Sequence, residues 1–254
     1  MKRFVLVGLP SLAAAGALAA YRPLTPPAAA RVPVVVELFT SEGCSSCPAA
    51  DAALRELEAA QSVPGAEVIA LGQHVDYWNR LGWKDPFSAA QFTERQQAYA
   101  AGFGTGSYTP QAVVNGQAEF VGSNRAALVA AIAKAAQGPH AAVQLVRQGA
   151  PWPVQVAALP AGAPAADVLL VITEAGLATQ VGRGENAGRL LRHAAVVRAL
   201  RPVGQAGGSA FAAAVPLALR PEWHPENLRA VVLVQEPATH RIVGAASLPL
   251  GALN

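Results

Sequence analysis

The only two cysteines of the chain, Cys44 and Cys47, lie three positions apart. They follow an apolar stretch from Val32 to Val36 and precede a helix-like segment from Ala49 to Ala60. A helix N-terminus offers unpaired N–H groups and about half a positive charge, which favour thiolate over thiol. Because the thiolate is the species that attacks a disulfide, this arrangement predicts a redox-active Cys44–Cys47 pair.

The N-terminus is typical of an export signal. Lys2 and Arg3 precede an apolar stretch from Phe4 to Ala20 that ends in small residues. We expect residues 1–30 to be a removed signal peptide and leader, so that the protein is periplasmic or secreted. The alternative is a retained membrane anchor, because the apolar stretch is nearly long enough to span a bilayer.

Export matters for the cysteines, since disulfides persist in oxidising compartments. As a structural crosslink the pair would close a loop of only about four residues, which stabilises a fold by about 2 kcal/mol in the loop-entropy model. A reversible redox couple explains the spacing better. The formal charge is +3 and no long run of Lys or Arg is present, so nucleic acid is not an expected partner.

Two regions of the chain differ in their patterns. Residues 31–139 alternate strand-like and helix-like segments, as α/β folds do. The expected elements there are strands over 32–39, 67–71, 111–114 and 117–121 and helices over 49–60, 85–101 and 125–136. Over residues 140–254, short apolar runs recur between turns rich in Gly and Pro, which predicts an antiparallel β-sandwich-like domain.

Residues 31–139 resemble the thioredoxin superfamily in three features. These are a strand leading into Cys-x-x-Cys at a helix start, the later pair Thr109-Pro110, and the Asn115-Gly116 hairpin after it. The resemblance implies an α/β domain with a central mixed sheet flanked by helices. It also implies that Pro110 is a cis-proline packed against the active disulfide.

The same resemblance assigns roles to the cysteines. Cys44, which we expect to be the more exposed, would be the nucleophile, and Cys47 would resolve the mixed disulfide. Gly43 stands where thioredoxin carries a tryptophan, so one hydrophobic docking surface is missing.

A second resemblance is to a bacterial family of exported thioredoxin-like proteins, domain of unknown function 1223. It is carried by residues 37–48, 74–78, 81–87, 108–111 and 183–198 and extends from about residue 33 to the C-terminus. This resemblance implies a fold and an envelope location, and it supplies no substrate.

Three polar residues are candidates for acid/base chemistry beside the dithiol. Glu37 lies on the entering strand and could accept the proton of Cys47, although a one-residue difference in spacing from thioredoxin could turn it to the other face. His74 and Asp76 follow the second strand at its carboxyl end, where ligands gather in α/β sheets. For both, the alternative is that they hold the adjacent aromatic loop together.

Candidate substrate contacts lie on either side of the dithiol in the expected fold. Thr109 and Pro110 would present backbone to a substrate chain, and Tyr108 precedes them. Trp78 is a candidate wall of the substrate site, with packing within the aromatic loop as the alternative.

Three functions are compatible with these features. The first is an exported thiol–disulfide oxidoreductase that needs no cofactor or metal and acts on a protein or small thiol or disulfide, with an envelope redox partner of unknown identity. The second is a protein that binds copper or zinc, or a metallochaperone, and uses Cys44, Cys47 and His74. The third is a binding module in which the sandwich recognises a partner and the disulfide has no redox role.

Overall fold

The computed structural model describes residues 31–146 and 151–251. The expected signal peptide and leader, residues 1–30, lie outside the described residues. The helices are α1 (Cys47–Ala60), α2 (Ala90–Phe103) and α3 (Arg125–Ala135). The strands are β1 (Val32–Thr40), β2 (Ala66–His74), β3 (Gln111–Val114), β4 (Ala118–Val121), β5 (Val143–Leu145), β6 (Trp152–Val156), β7 (Ala166–Glu174), β8 (Ala178–Gln180), β9 (Leu190–Arg192), β10 (Val196–Ala206), β11 (Phe211–Val215), β12 (Leu228–Gln235) and β13 (Ile242–Pro249).

One mixed sheet of eight strands organises the described residues, in the order β13-β12-β7-β10-β2-β1-β3-β4. β1 and β2 are parallel because α1 crosses between them, whereas β3 and β4 form an antiparallel hairpin beside β1. β7, β10, β12 and β13 pair antiparallel with one another. Three further strands form a smaller antiparallel sheet in the order β11-β6-β5, and β8 pairs with β9.

β1 is buried on both faces, which explains its almost unbroken apolar sequence. Val34, Val36 and Leu38 pack with α1 and α3 on one face. Val35 belongs to the core on the other face, where Phe92 of α2 lies. Helices therefore flank both faces of the sheet around the strand that leads to the cysteines.

The Asn115-Gly116 hairpin is confirmed, and its residues also connect the two halves of the chain. Both have positive φ, 46° and 64°. Asn115 Oδ1 accepts a hydrogen bond from the Val35 N–H at 2.8 Å. A Cβ on Gly116 would lie 2.1 Å from the carbonyl oxygen of His240, so only glycine fits this close approach.

The expected helices and strands of residues 31–139 are present with small shifts at their ends, except that one helix begins several residues later than expected. The helix expected from Asp85 begins at Ala90. The Asp85 carboxylate instead accepts hydrogen bonds from the N–H groups of Glu42 and Phe87, which orders a loop before the helix. In the second half, β9 and β10 are separated by a short break, where the Ala194 N–H donates to Asp51.

The predicted boundary near residue 140 falls between α3 and β5. Strands on the two sides of it nevertheless share one sheet, since β10 lies beside β2 and the Gly72 N–H donates to the Ala195 carbonyl at 2.6 Å. The smaller sheet packs on β7 and β12 through a core that includes Trp152 and Leu170. The division into domains 31–139 and 140–254 stays a prediction, and the fold is mixed α/β with added antiparallel strands.

Candidate functional site

Cys44 and Cys47 form a disulfide at the N-terminus of α1, with their Cα atoms 5.4 Å apart. Cys47 is the first residue of the helix, and its N–H donates to the Cys44 carbonyl at 3.2 Å. The turn that carries Cys44 follows buried β1 and leads directly into α1. Both sulfurs therefore lie where the free N–H groups of a helix stabilise negative charge.

Both cysteines are 1% exposed, so the expectation that Cys44 is the more exposed is wrong for this disulfide form. A loop between β8 and β9 covers them. The side-chain amide of Asn186 donates to the carbonyls of Glu42 and Cys44, each at 2.9 Å. This contact comes from a residue more than a hundred positions further along the chain.

Glu185 adds a charged contact to the same cover. Its carboxylate accepts a hydrogen bond from the Ser45 N–H at 2.9 Å. Hydrogen bonds from Ser45 lower the pKa of this exposed carboxyl. A carboxylate from the second half of the chain thus accepts the hydrogen bond of a backbone N–H group beside Cys44.

The structure does not bring Glu37 to the disulfide. β1 alternates its side chains, and Glu37 points to the face opposite α1 and Cys47. There its buried carboxylate binds Arg95 at 2.5 and 2.9 Å and accepts hydrogen bonds from Tyr99 and Gln73. This full set of partners fits a structural ion pair rather than the predicted proton acceptor for Cys47.

His74 lies at the end of β2, is 1% exposed, and contacts Asp85 through its Nδ1 at 2.7 Å. Burial by itself lowers the pKa of His74, but the charge and hydrogen bond of Asp85 outweigh it, so the pKa lies above its ordinary value of 6.5. For Asp85, burial is likewise outweighed by His74, and the pKa of the carboxyl is lowered. Each member of this buried pair therefore favours the charged form of the other.

A second histidine joins this group from the other half of the chain. His193 packs edge-on against His74, with ring centroids 4.9 Å apart. Its Nε2 lies 3.1 Å from Oε1 of Glu42, in an orientation that falls short of a hydrogen bond. The other carboxylate oxygen of Glu42 accepts a hydrogen bond from Trp83 Nε1 at 2.6 Å.

Asp51 is the carboxylate on the Cys47 side of the sheet. It lies one helical turn after Cys47, so both side chains share one face of α1. Its oxygens accept hydrogen bonds from the Thr40 hydroxyl at 2.8 Å and the Ala194 N–H at 3.0 Å. Cys47, Asp51, Glu42 and His193 line one small cavity.

The other predicted residues divide into two groups. Trp78 reaches the site, because its indole N–H donates to the Thr109 hydroxyl at 2.8 Å. The Thr109–Pro110 bond is cis, as expected, and lies beside the end of β1 through the pairing of Phe39 with Gln111.

Asp76 and Tyr108 point elsewhere. The Asp76 carboxylate accepts a hydrogen bond from Thr93 at the start of α2. The Tyr108 hydroxyl donates to Glu119 on β4, and burial together with this carboxylate raises the tyrosine pKa. These contacts fit loop and hairpin packing.

Metal binding gains no support from the geometry. Within residues 31–146 and 151–251, no three His, Cys, Asp or Glu side chains are arranged to hold a metal ion. Membrane spanning by a helix is likewise not seen in the described part of the chain, where none is both long and apolar enough.

Sequence reasoning missed several residues that surround the disulfide. Asp51 could have been found, because a spacing of four from Cys47 on a predicted helix places both on one face. Asn186, Glu185 and His193 lie within residues 183–198, which carry the family resemblance, but only the long-range pairing of β10 with β2 shows that they surround the disulfide.

Comparison with known proteins gives a family. The model of the family described as "Protein of unknown function (DUF1223)" matches residues 35–235. The chain belongs to this family. A crystal structure of protein AGR_C_4864 from Agrobacterium tumefaciens is similar, with 32% sequence identity and a TM-score of 0.71, over 89% of this chain and 97% of that one. No curated protein matches the chain.

The His74–Asp85 pair predicts a pH-dependent stability. A raised histidine pKa stabilises the fold fully below pH 6.5 and less as the pH rises through the folded value, whereas the lowered Asp85 pKa stabilises it above pH 3.8. Asp85→Asn should therefore cost about 3 kcal/mol of unfolding free energy near pH 5.5 and clearly less near pH 9. Urea denaturation measures both, with Asp76→Asn as the matched control. An Asp85→Asn loss that is equal at the two pH values would contradict the buried charge pair.

The covering loop predicts a kinetic effect. Asn186→Ala removes two hydrogen bonds over the Cys44 turn, each worth about 1 kcal/mol, so dithiothreitol should reduce the disulfide at least about tenfold faster. Arg183→Ala, an exposed change in the same loop, is the control and should react like the wild type. Equal rates for all three proteins would show that the loop does not limit access.

Proposed function

We propose that this protein is an exported thiol–disulfide oxidoreductase whose Cys44–Cys47 pair exchanges with thiols or disulfides of envelope proteins. The observation that carries the proposal is the disulfide at the N-terminus of α1, directly after buried β1. Such a position lowers a thiol pKa and makes its sulfur a good attacking group. The export signal predicted in residues 1–30 supports the compartment.

The arrangement around the dithiol supports a thioredoxin-like first half. The order β2-β1-β3-β4, with α1 and α3 on one face and α2 on the other, is the order expected for that superfamily. The cis Thr109–Pro110 bond lies at the same edge as the cysteines. The N-terminus of α1 and the cis peptide bond come from separate parts of the chain, and both support the proposed redox role of the cysteines.

The reaction that follows is a pair of exchanges. The Cys44 thiolate attacks one sulfur of a substrate disulfide, a new sulfur–sulfur bond forms, and the other substrate sulfur leaves as a thiolate that takes up a proton. Cys47 then loses its proton and attacks Cys44, which releases the second substrate sulfur and restores the Cys44–Cys47 disulfide. The substrate gains two electrons and the protein loses two, and the reverse sequence oxidises a substrate dithiol.

Asp51 takes over the role first predicted for Glu37. Its carboxylate lies on the Cys47 side of the sheet and borders the same cavity, so it is the nearer candidate for handling the Cys47 proton. The hydrogen bonds from Thr40 and Ala194 hold its two oxygens in place. A positioned acid/base group of this kind speeds proton transfer by about a hundredfold or more.

An aromatic pocket beside Cys44 favours a polypeptide substrate. Gly43 takes the place of the tryptophan found in thioredoxin, but the Trp78 Cβ would be only 3.3 Å from a Cβ added there. Trp78, Leu81 and Trp83 line a pocket next to Gly43, and Leu81 is 58% exposed. Apolar side chains of a substrate chain would find a docking surface here without a tryptophan at position 43.

Trapping the mixed disulfide tests this function. Cys47→Ser keeps the attacking thiol and removes the resolving one, so a peptide disulfide probe should remain covalently attached to Cys44. Cys44→Ser is the matched control and should trap little, because it removes the attacking thiol and keeps only the resolving one. Electrophoresis without reductant and mass spectrometry measure the adduct. Equal trapping by the two variants, or none by either, would refute the assigned roles.

A further inference from the structure

We propose that His193, from the second half of the chain, is a proton-relay residue that connects Cys47 to solvent. This inference rests on the proposed thiol–disulfide exchange and adds the route by which its proton moves. The redox site would then be completed across the two halves of the chain. The cover of Asn186 and Glu185 lies on the Cys44 side, so the relay uses a separate path.

The chemistry requires such a path. When Cys47 attacks the Cys44 sulfur of a mixed disulfide, the Cys47 S–H bond breaks and its electrons form the new sulfur–sulfur bond. The bond from Cys44 to the substrate breaks, and the substrate sulfur carries its electrons away. Only the proton of Cys47 has no direct route, because this residue is 1% exposed.

A small cavity supplies the first step of the path. Cys47, Asp51, Glu42 and His193 border it, and it has room for about one water molecule. Asp51 and Cys47 share a helix face, and the Glu42 carboxylate approaches His193 Nε2 to 3.1 Å. A proton leaving Cys47 therefore meets two carboxylates and an imidazole.

Three buried polar atoms at this place have no hydrogen-bond partner among the described residues. They are Oε1 of Glu42, Nε2 of His193 and Nε2 of His74. Each such atom costs about 1–3 kcal/mol, and native structures contain few of them. They cluster around two imidazoles that pack edge-on, and polar atoms without a hydrogen-bond partner are available to exchange a proton.

The second step of the path leads from His193 to solvent. His193 lines an open cleft between α1 and the strands of the second half, together with Arg55 and Asn227. His193 thus borders both the small cavity and the open cleft. A histidine in this position can take a proton on one side and release it on the other, since imidazole changes charge near neutral pH.

Titratable and charged groups face His193 from both sides. On the cavity side the titratable groups are Glu42, Asp51 and His74, with Asp85 behind His74. On the cleft side the charged groups include Arg55, Glu226 and Arg229.

The first test is a titration that does not depend on activity. In a Cys44→Ser background, the ultraviolet absorbance of the Cys47 thiolate reports the pH at which this thiol is half ionised. Adding His193→Gln should raise that midpoint by about one pH unit, the size expected from losing one close titrating partner. His224→Gln is the matched control, because His224 is 61% exposed and pairs with Glu174 elsewhere in the second half. An unchanged midpoint in the His193 variant would overturn the relay.

The second test uses the wild-type sequence and so avoids any folding defect of a variant. The imidazole resonances of His193 are followed by NMR against pH in the oxidised and the reduced protein. The relay requires the two curves to differ, because ionisation of Cys47 across the cavity changes the charge that His193 meets. Superimposable curves would overturn it.

Kinetics separate this inference from the proposed function. His193→Gln should slow release of substrate from the mixed disulfide about a hundredfold and leave the first attack by Cys44 unchanged. Successful trapping by Cys47→Ser together with normal release in His193→Gln would overturn the relay alone. Absence of any trapping would overturn the oxidoreductase itself.

Discussion

The close approach of Gly72 and Ala195 is the contact on which the site depends. The Gly72 N–H donates to the Ala195 carbonyl, and a Cβ at position 72 would lie 3.2 Å from that oxygen. This contact joins β10 to β2 and makes one sheet from strands of both halves. It also places the segment before β10 against α1, where the Ala194 N–H binds Asp51. The disulfide is therefore surrounded by residues that are far apart in sequence.

Burial of charge is the second constraint. Glu42, Asp51, His74, Asp85 and His193 are all almost inaccessible to solvent. Buried charges are stable only when they are paired or hydrogen-bonded, and three carboxylates facing two imidazoles meet most of that requirement. The Cys44–Cys47 turn lies against this group, and the proposed relay through His193 would link its protonation to the chemistry of the thiols.

The loop that contains Glu185 and Asn186 covers the backbone beside Cys44. A redox disulfide that exchanges with large substrates needs an approach path, and here Asn186 and Glu185 occupy the backbone groups beside Cys44. Loops carry function because they can move while the scaffold under them stays in place. A substrate chain would have to replace these contacts with its own.

Much of the first half could be predicted from sequence, because its signals are local. The apolar run of β1, the Cys-x-x-Cys spacing and the Asn115-Gly116 turn each determine a short piece of structure. Glu37 shows the limit of that approach, since a shift of one residue moves a strand side chain to the other face. Asp51 and its partner Ala194 are 143 positions apart, and Asn186 and Cys44 are 142 positions apart, so no local pattern in the sequence could reveal either contact.

The reduction potential of the Cys44–Cys47 pair, measured by equilibration in glutathione buffers, tests the central claim most directly. A working redox couple should have a defined value between about −120 and −270 mV. A value well below about −300 mV would identify an inert structural bridge and contradict the proposed function.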